Sequence, residues 1–149
     1  MFGLYDTQAL AKEIHDRFFV GYAGVTLPHK FKIAVGGCPN NCMKPDLNDL
    51  GIVGQRVPKL KPVARGSGRW GKKVRIGTPL SKLFTREEAL DVVEKAILLF
   101  KSKGETGERF GMTVDRLGAA KVEKMLISDN LLKRKEEILE QETIGGARW

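Results

Sequence analysis

Both cysteines of this chain lie in one short stretch, residues 36–42, which reads GGCPNNC and restricts the fold more than any other feature. The two leading glycines let the backbone pass close to a bulky group, because they lack a Cβ and tolerate positive φ. Pro39 suits the first position of a short helix, so Cys38 and Cys42 are expected to point the same way from successive turns. The positive end of such a helix favours thiolates and an anionic cluster. The stretch therefore predicts a loop that carries a buried metal centre.

Two cysteines do not fill the four thiolate positions of a structural zinc or a cubane iron–sulfur site, so other interpretations stay open. A disulfide is one, because residues one turn apart can come within bonding range. A zinc site completed by His15 and His29 is another, although these histidines lack the paired spacing typical of zinc ligands. Two inert buried cysteines are the third, and the surrounding Gly-Gly and Pro-Asn-Asn residues fit an ordinary core poorly.

The chain has 149 residues, of which 42% are hydrophobic, enough for one compact domain with a core. It contains no run of about eighteen apolar residues, and its N-terminus lacks a basic region followed by a hydrophobic stretch. We therefore expect a cytoplasmic location and no membrane association.

Formal net charge is +8, and residues 50–86 contain ten Lys or Arg but no acid. Such a tract implies an anionic partner: a polyanionic cofactor, an acidic protein or nucleic acid, with Trp70 available for base stacking. Basic residues that alternate with apolar ones also describe an ordinary exposed strand face. Charge alone does not separate these four interpretations.

Hydrophobic periodicity predicts the first half of the fold. Asp6 can cap a helix whose Leu10, Ile14 and Phe18 form a buried stripe. Residues 30–35 and 50–54 read as strands on either side of the cysteine stretch, and glycines in the second suggest close approach of backbone or ligand. Residues 57–64 and 72–76 are further strand candidates, separated by a turn at 65–69.

The second half is predicted to be helical. Thr85 and Glu88 form a capping box that opens a helix ending at Gly104. Another helical segment starts at Thr113, and residues 128–130 separate it from a last helix that runs to about Gln141. The predicted class is α/β (α+β): a mixed β-sheet of about four or five strands with packed helices and a C-terminal helical extension. We assign residues 1–126 to one domain and 127–149 to a helical tail.

Residues 27–54, LPHKFKIAVGGCPNNC followed by DLGIVG, resemble the sirohaem-dependent nitrite and sulfite reductases at the second half of their iron–sulfur signature. Residues 107–110 (GERF) and 115–118 (DRLG) resemble the closing motif of the same family. The resemblance covers about residues 1–126. It implies a 4Fe-4S cluster held by four cysteines, one of which also bridges to the iron of sirohaem, where sulfite or nitrite undergoes six-electron reduction. By position, Cys38 and Cys42 match the second cysteine pair, and Cys42 matches the bridging ligand.

The chain departs from this family at its start. The family's first pair, Cys-x₅-Cys, lies just before a segment like residues 2–5, and that pair is absent here. The resemblance therefore implies a C-terminal fragment whose partner is the missing N-terminal half of the same protein. Because half the thiolate ligands are missing, we expect the isolated fragment to be apo and inactive.

The resemblance also implies the remaining contacts. We expect Asn40 and Asn41, or part of the tract between Arg56 and Arg75, to meet the carboxylates of sirohaem. Sulfite or nitrite is the expected substrate, and an acidic protein such as ferredoxin the expected electron donor. The alternative from another class is a small basic nucleic-acid-binding module. It is disfavoured because no RRM, KH or helix-turn-helix signature is present and Trp70 is the lone aromatic in the basic tract.

Overall fold

A computed structural model describes residues 3–56, 60–63, 76–143 and 146–148. Its helices are α1 (Thr7–Ile14), α2 (Arg86–Lys103), α3 (Phe110–Leu117), α4 (Ala119–Ile127), α5 (Asn130–Lys133) and α6 (Lys135–Glu140). Its strands are β1 (Thr26–Leu27), β2 (Ile33–Gly36), β3 (Leu50–Gly54), β4 (Leu60–Val63) and β5 (Ala147–Arg148).

Strands β2, β3 and β4 form a mixed sheet with β3 in the centre. β2 runs parallel to β3, with Ile33 opposite Leu50, and β4 runs antiparallel to it, with Val63 opposite Gly51. β1 and β5 pair separately as an antiparallel ribbon. The predicted mixed α/β class is confirmed. Within the described ranges the mixed sheet has three strands, and the predicted turn at 65–69 and most of the strand at 72–76 lie outside those ranges.

Helix α1 begins as its sequence predicts. The carboxylate of Asp6 accepts a hydrogen bond from the backbone N–H of Ala9 at 2.9 Å, which satisfies one of the free amides of the first turn. The helix continues as a π-helical turn, His15–Val20, that ends at Gly21. The buried stripe of Leu10, Ile14 and Phe18 is confirmed, with Leu10 fully inaccessible to solvent.

Helix α2 is the central element of the core. The hydroxyl of Thr85 accepts from the Glu88 N–H at 3.3 Å, and the Glu88 carboxylate accepts from the Thr85 N–H at 2.7 Å, which confirms the capping box. The middle of α2 is buried on most sides, because it packs against β1, β3 and β4 as well as α3 to α6. No helix in the described ranges has the length and apolar character needed to cross a lipid bilayer.

The helical segment predicted from Thr113 is two helices in the structure. Gly118 has a φ of +88°, a value that interrupts helical hydrogen bonding, and it separates α3 from α4. α5 and α6 then pack on α2 through buried Leu131 and Ile138. Lys95 of α2 reaches the carboxylate of Asp129 at 2.7 Å, which holds the start of α5 in place.

Candidate metal centre

The cysteine stretch lies in the connection between two parallel strands. Residues 37–49 leave the C-terminal end of β2 and return to the start of β3, since parallel strands require a crossover rather than a tight turn. Cys38 therefore comes two residues after the end of β2, whose pairing with β3 fixes the point where the loop leaves the sheet. This confirms the prediction of a strand that delivers the cysteines.

The loop itself is a series of turns and not a helix. Asn41 has a φ of +56° and Lys44 a φ of +46°, both in the left-handed region, where a right-handed helix cannot continue. The Lys44 N–H donates to the carbonyl of Asn41 at 2.8 Å and closes one turn. The predicted short helix after Cys38 is therefore wrong, since a left-handed residue lies directly before Cys42.

Glycines let the segment between Cys42 and β3 lie directly on the sheet. A 3₁₀ turn, Pro45–Leu47, crosses β2 and β3, and a Cβ added to Gly51 would lie only 2.4 Å from the carbonyl oxygen of Pro45. A Cβ on Gly36 would lie 3.4 Å from the Pro45 ring, an ordinary contact. The predicted close approach at β3 is confirmed, and at Gly51 it is made by the chain's own backbone.

A buried ion pair anchors the far end of the loop. Asp49, with no exposed surface, accepts from the Arg109 Nε at 3.1 Å and from the Arg109 Nη2. Its second oxygen also accepts from the Lys32 N–H at 2.9 Å. The carboxylate thus joins the start of β2, the start of β3 and the residue before α3. This bidentate geometry is the strongest form of an Arg–carboxylate contact.

A second ion pair joins the two motifs of the C-terminal part. Arg116 donates through Nη2 to Glu108 at 2.8 Å and through Nε at 3.1 Å, and the Thr113 hydroxyl donates to Glu108 at 2.8 Å. The hydrogen bond from Arg116 is the main reason why the pKa of Glu108 falls to about 2. Sequence reasoning singled out residues 107–110 and 115–118 but not these roles, because the partners meet only in the folded chain.

The geometry excludes the three simpler interpretations of the cysteines. Cys38 and Cys42 are free thiols, so the disulfide is wrong, and Cys42 is exposed, so they are not a buried inert pair. His15 stacks on Phe19 with ring centroids 5.0 Å apart, and His29 Nδ1 accepts from the Lys30 N–H at 2.7 Å. No group of three or more His, Cys, Asp or Glu suited to a metal exists among the described residues, so the zinc alternative has no complete ligand set there.

The two asparagines of the loop differ in environment. Asn40 is exposed, whereas Asn41 is half-buried. The Oδ1 of Asn41 is shielded from solvent and has no hydrogen-bond partner in the described part of the chain. A buried side-chain oxygen without a hydrogen-bond partner is uncommon in folded proteins.

The N-terminal segment lies against the glycines that precede Cys38. The Leu4 N–H donates to the Gly37 carbonyl at 2.9 Å, and the Tyr5 hydroxyl donates to the Gly36 carbonyl at 3.0 Å. Burial raises the pKa of Tyr5 to about 12, so its phenol stays a donor at neutral pH. A Cβ on Gly54 would lie 2.8 Å from the Tyr5 ring, which shows how closely the ring covers β3.

Part of the basic tract is engaged within the chain. Lys82 pairs with Glu88 at 2.8 Å and Arg86 with Glu13 at 2.6 Å. These two members therefore fit the interpretation of an ordinary solvated surface. Residues 57–59 and 64–75 of the tract lie outside the described ranges.

Residues 1–135 match the family model of the nitrite and sulphite reductase 4Fe-4S domain. The chain is similar to a coenzyme F420-dependent sulfite reductase of Methanocaldococcus jannaschii, with 46% identity over 45% of this chain and 10% of that protein. It is 31% identical to a nitrite reductase [NAD(P)H] of Bacillus subtilis over 84% of the chain and 15% of the relative. An assimilatory-type sulfite reductase of Nitratidesulfovibrio vulgaris is 25% identical over 85% of the chain and 55% of the relative. The chain thus spans between a tenth and about half of the length of these relatives.

Proposed function

Because the chain belongs to the nitrite and sulphite reductase 4Fe-4S domain family, we propose that it is the C-terminal part of a sirohaem- and 4Fe-4S-dependent reductase. The reaction would be the six-electron reduction of sulfite to sulfide or of nitrite to ammonia. The observation that carries this proposal is the pair of free thiols at the exit of β2, inside the matched residues. Family membership also favours the reductase over a nucleic-acid-binding module.

The residues present fit half of a 4Fe-4S ligand set. Cys38 and Cys42 would hold the cluster as its second pair of thiolates, with Cys42 as the ligand shared with sirohaem. Two free sulfurs on a loop that is restrained at both ends suit this role, because rigid support keeps ligands in place. When bound, the cluster and sirohaem supply the electron transfer to the substrate. The contribution of this chain is to hold, orient and partly enclose them.

The other two thiolates would come from the family's first cysteine pair, which we expect before Phe2. A Cβ on Gly37 would lie 3.3 Å from the Cα of Gly3, so the chain passes directly beside the cysteine loop at this point. This close approach supports a cluster built from both segments.

Asn40 and Asn41 are our candidates for contacts to the sirohaem carboxylates, together with part of the tract between Arg56 and Arg75. The unpartnered amide edge of Asn41 supports this, because a bound group would satisfy it. The proposed partners are sulfite or nitrite, an acidic electron donor such as ferredoxin, and the N-terminal half of the protein. The proposed location is the cytoplasm.

Anaerobic reconstitution tests the proposal. The chain would be prepared alone and in an extended form that includes the upstream cysteine pair, and bound iron and sulfide would be counted. We expect a stoichiometric cluster only in the extended form. Cys38→Ser and Cys42→Ser in the extended form should each abolish cluster binding. Met43→Leu, a change at the exposed neighbour of Cys42, is the matched control and should retain the cluster. Full cluster uptake by either serine variant would contradict the proposal.

A further inference from the structure

The segment Leu4–Tyr5 controls the backbone immediately before Cys38. Gly36 and Gly37 have no side chains to restrict their φ and ψ; Gly36 is paired opposite Val53 at the end of β2, whereas Gly37 lies beyond the strand. The Leu4 N–H and the Tyr5 hydroxyl each hold one of their carbonyl oxygens, at 2.9 and 3.0 Å. We infer that Tyr5 is a positioning residue for the Cys38 loop: its hydrogen bond to the Gly36 carbonyl anchors the segment whose Leu4 N–H orients the Gly37–Cys38 peptide group.

The orientation follows from peptide geometry. The described backbone contains no cis peptide bond, and in a trans peptide the C=O and the following N–H point in opposite directions. Since the Gly37 carbonyl points at Leu4, the N–H of Cys38 points away from Leu4. In the described part of the chain this N–H meets no acceptor.

An N–H beside a ligating cysteine is a natural donor to a cluster sulfur. Hydrogen bonds to the sulfurs raise the reduction potential of an iron–sulfur cluster, because they stabilise the more negative reduced state. This step rests on the proposed function, which supplies the identity of the bound group. The positioning of the loop by Tyr5 does not depend on it.

The Tyr5 side chain is suited to a rigid restraint. Its ring is wedged against β3, where a Cβ on Gly54 would lie 2.8 Å from Cε1 of Tyr5 and 2.7 Å from the carbonyl oxygen of Gly37. Replacing Tyr5 by Phe keeps this packing and removes the hydroxyl that holds Gly36. The change therefore isolates the hydrogen bond from the bulk of the ring.

The first test uses the chain without any cofactor. Rates of thiol alkylation at Cys38 and Cys42 would be measured by mass spectrometry in the wild type, Tyr5→Phe and Tyr22→Phe. Tyr22 is the matched control, because its buried hydroxyl donates to Glu94 on α2 and not to the cysteine loop. We expect Tyr5→Phe to raise the rate at half-buried Cys38 severalfold relative to exposed Cys42, and Tyr22→Phe to leave this ratio unchanged. An unchanged ratio in Tyr5→Phe, or an equal rise in both variants, would overturn the inference.

The second test uses the cluster-loaded protein that includes the upstream cysteines. A redox titration followed by electron paramagnetic resonance should show a negative shift of the midpoint potential in Tyr5→Phe and none in Tyr22→Phe. A potential equal to that of the wild type would refute the role of Tyr5 while leaving the reductase proposal intact. If the wild type takes up no cluster, the reductase proposal fails, and the alkylation ratio alone decides on Tyr5.

Discussion

Arg109 and Asp49 form a bidentate ion pair that joins the residue before α3 to the residue before β3. Asp49 has no exposed surface, and the side chain of Arg109 is 16% exposed. The pair closes the far end of the cysteine loop, whereas Tyr5 and Leu4 hold its near end. The loop is therefore restrained on both sides, with its two thiols between the restraints.

Breaking this ion pair should lower the free energy of unfolding substantially. Arg109→Leu leaves the buried Asp49 carboxylate without its charged partner and with the Lys32 N–H as its remaining donor, and losing one member of a buried pair typically costs about 3–5 kcal/mol. Arg109→Lys should also destabilise the fold, because an ammonium cannot reproduce the two parallel hydrogen bonds. Urea unfolding measures both effects. Lys12→Ala, which removes an exposed pair with Asp16, is the control and should change the free energy of unfolding little.

Adding a methyl group to β3 should strain the crossover. Gly51→Ala places a Cβ 2.4 Å from the Pro45 carbonyl oxygen, so backbone must move. We expect the free energy of unfolding to fall by an amount near the upper end of the roughly 1–3 kcal/mol that is typical of overpacking. Gly36→Ala is the matched change in the neighbouring strand, where the nearest contact is 3.4 Å, and it should cost clearly less. If thermal unfolding shows that Gly51→Ala and Gly36→Ala are destabilised equally, the crossover is not tightly packed on the sheet.

Glu108 should make the fold sensitive to acid. Its pKa is lowered from 4.5 to about 2 in the folded protein, chiefly by the hydrogen bond from Arg116. A depressed pKa means that the stabilisation is fully present above about pH 4.5 and is lost as the pH falls towards 2. Urea unfolding at a series of pH values should show that Glu108→Gln is less stable at pH 7 and loses less stability in that window. Glu136→Gln, on the exposed side of α6, should keep the wild-type slope.

Lys101 should hold the C-terminal segment on the core. Its buried ammonium donates to the carbonyl of Gln141 at 2.7 Å and contacts the Thr143 hydroxyl at 3.3 Å. Burial lowers the pKa of Lys101, because the charged ammonium loses contact with water. Lys101→Ala should expose the segment after α6 to limited proteolysis. Lys103→Ala, exposed on the same turn of α2, should not, and equal cleavage of the two variants would contradict this role.

Local sequence signals determined the elements that surround the site. The cap at Asp6 and the capping box at Thr85 depend on side chains within a few residues of the helix starts, so the sequence alone identifies them. The alternating pattern before Cys38 likewise identified β2. The motif GGCPNNC, with its neighbours, was sufficient to predict the family that the comparison confirmed.

The tertiary structure decided how these pieces meet. Whether residues 38–42 form a helix depended on the left-handed backbone of Asn41, which an Asn permits but does not require. The pairing of Asp49 with Arg109 joins residues 60 positions apart, and no local pattern specifies which buried charges become partners. Local hydrogen bonds and periodicity act over a few residues and can be read along the chain, whereas long-range ion pairs and glycine contacts exist only once distant segments have packed together.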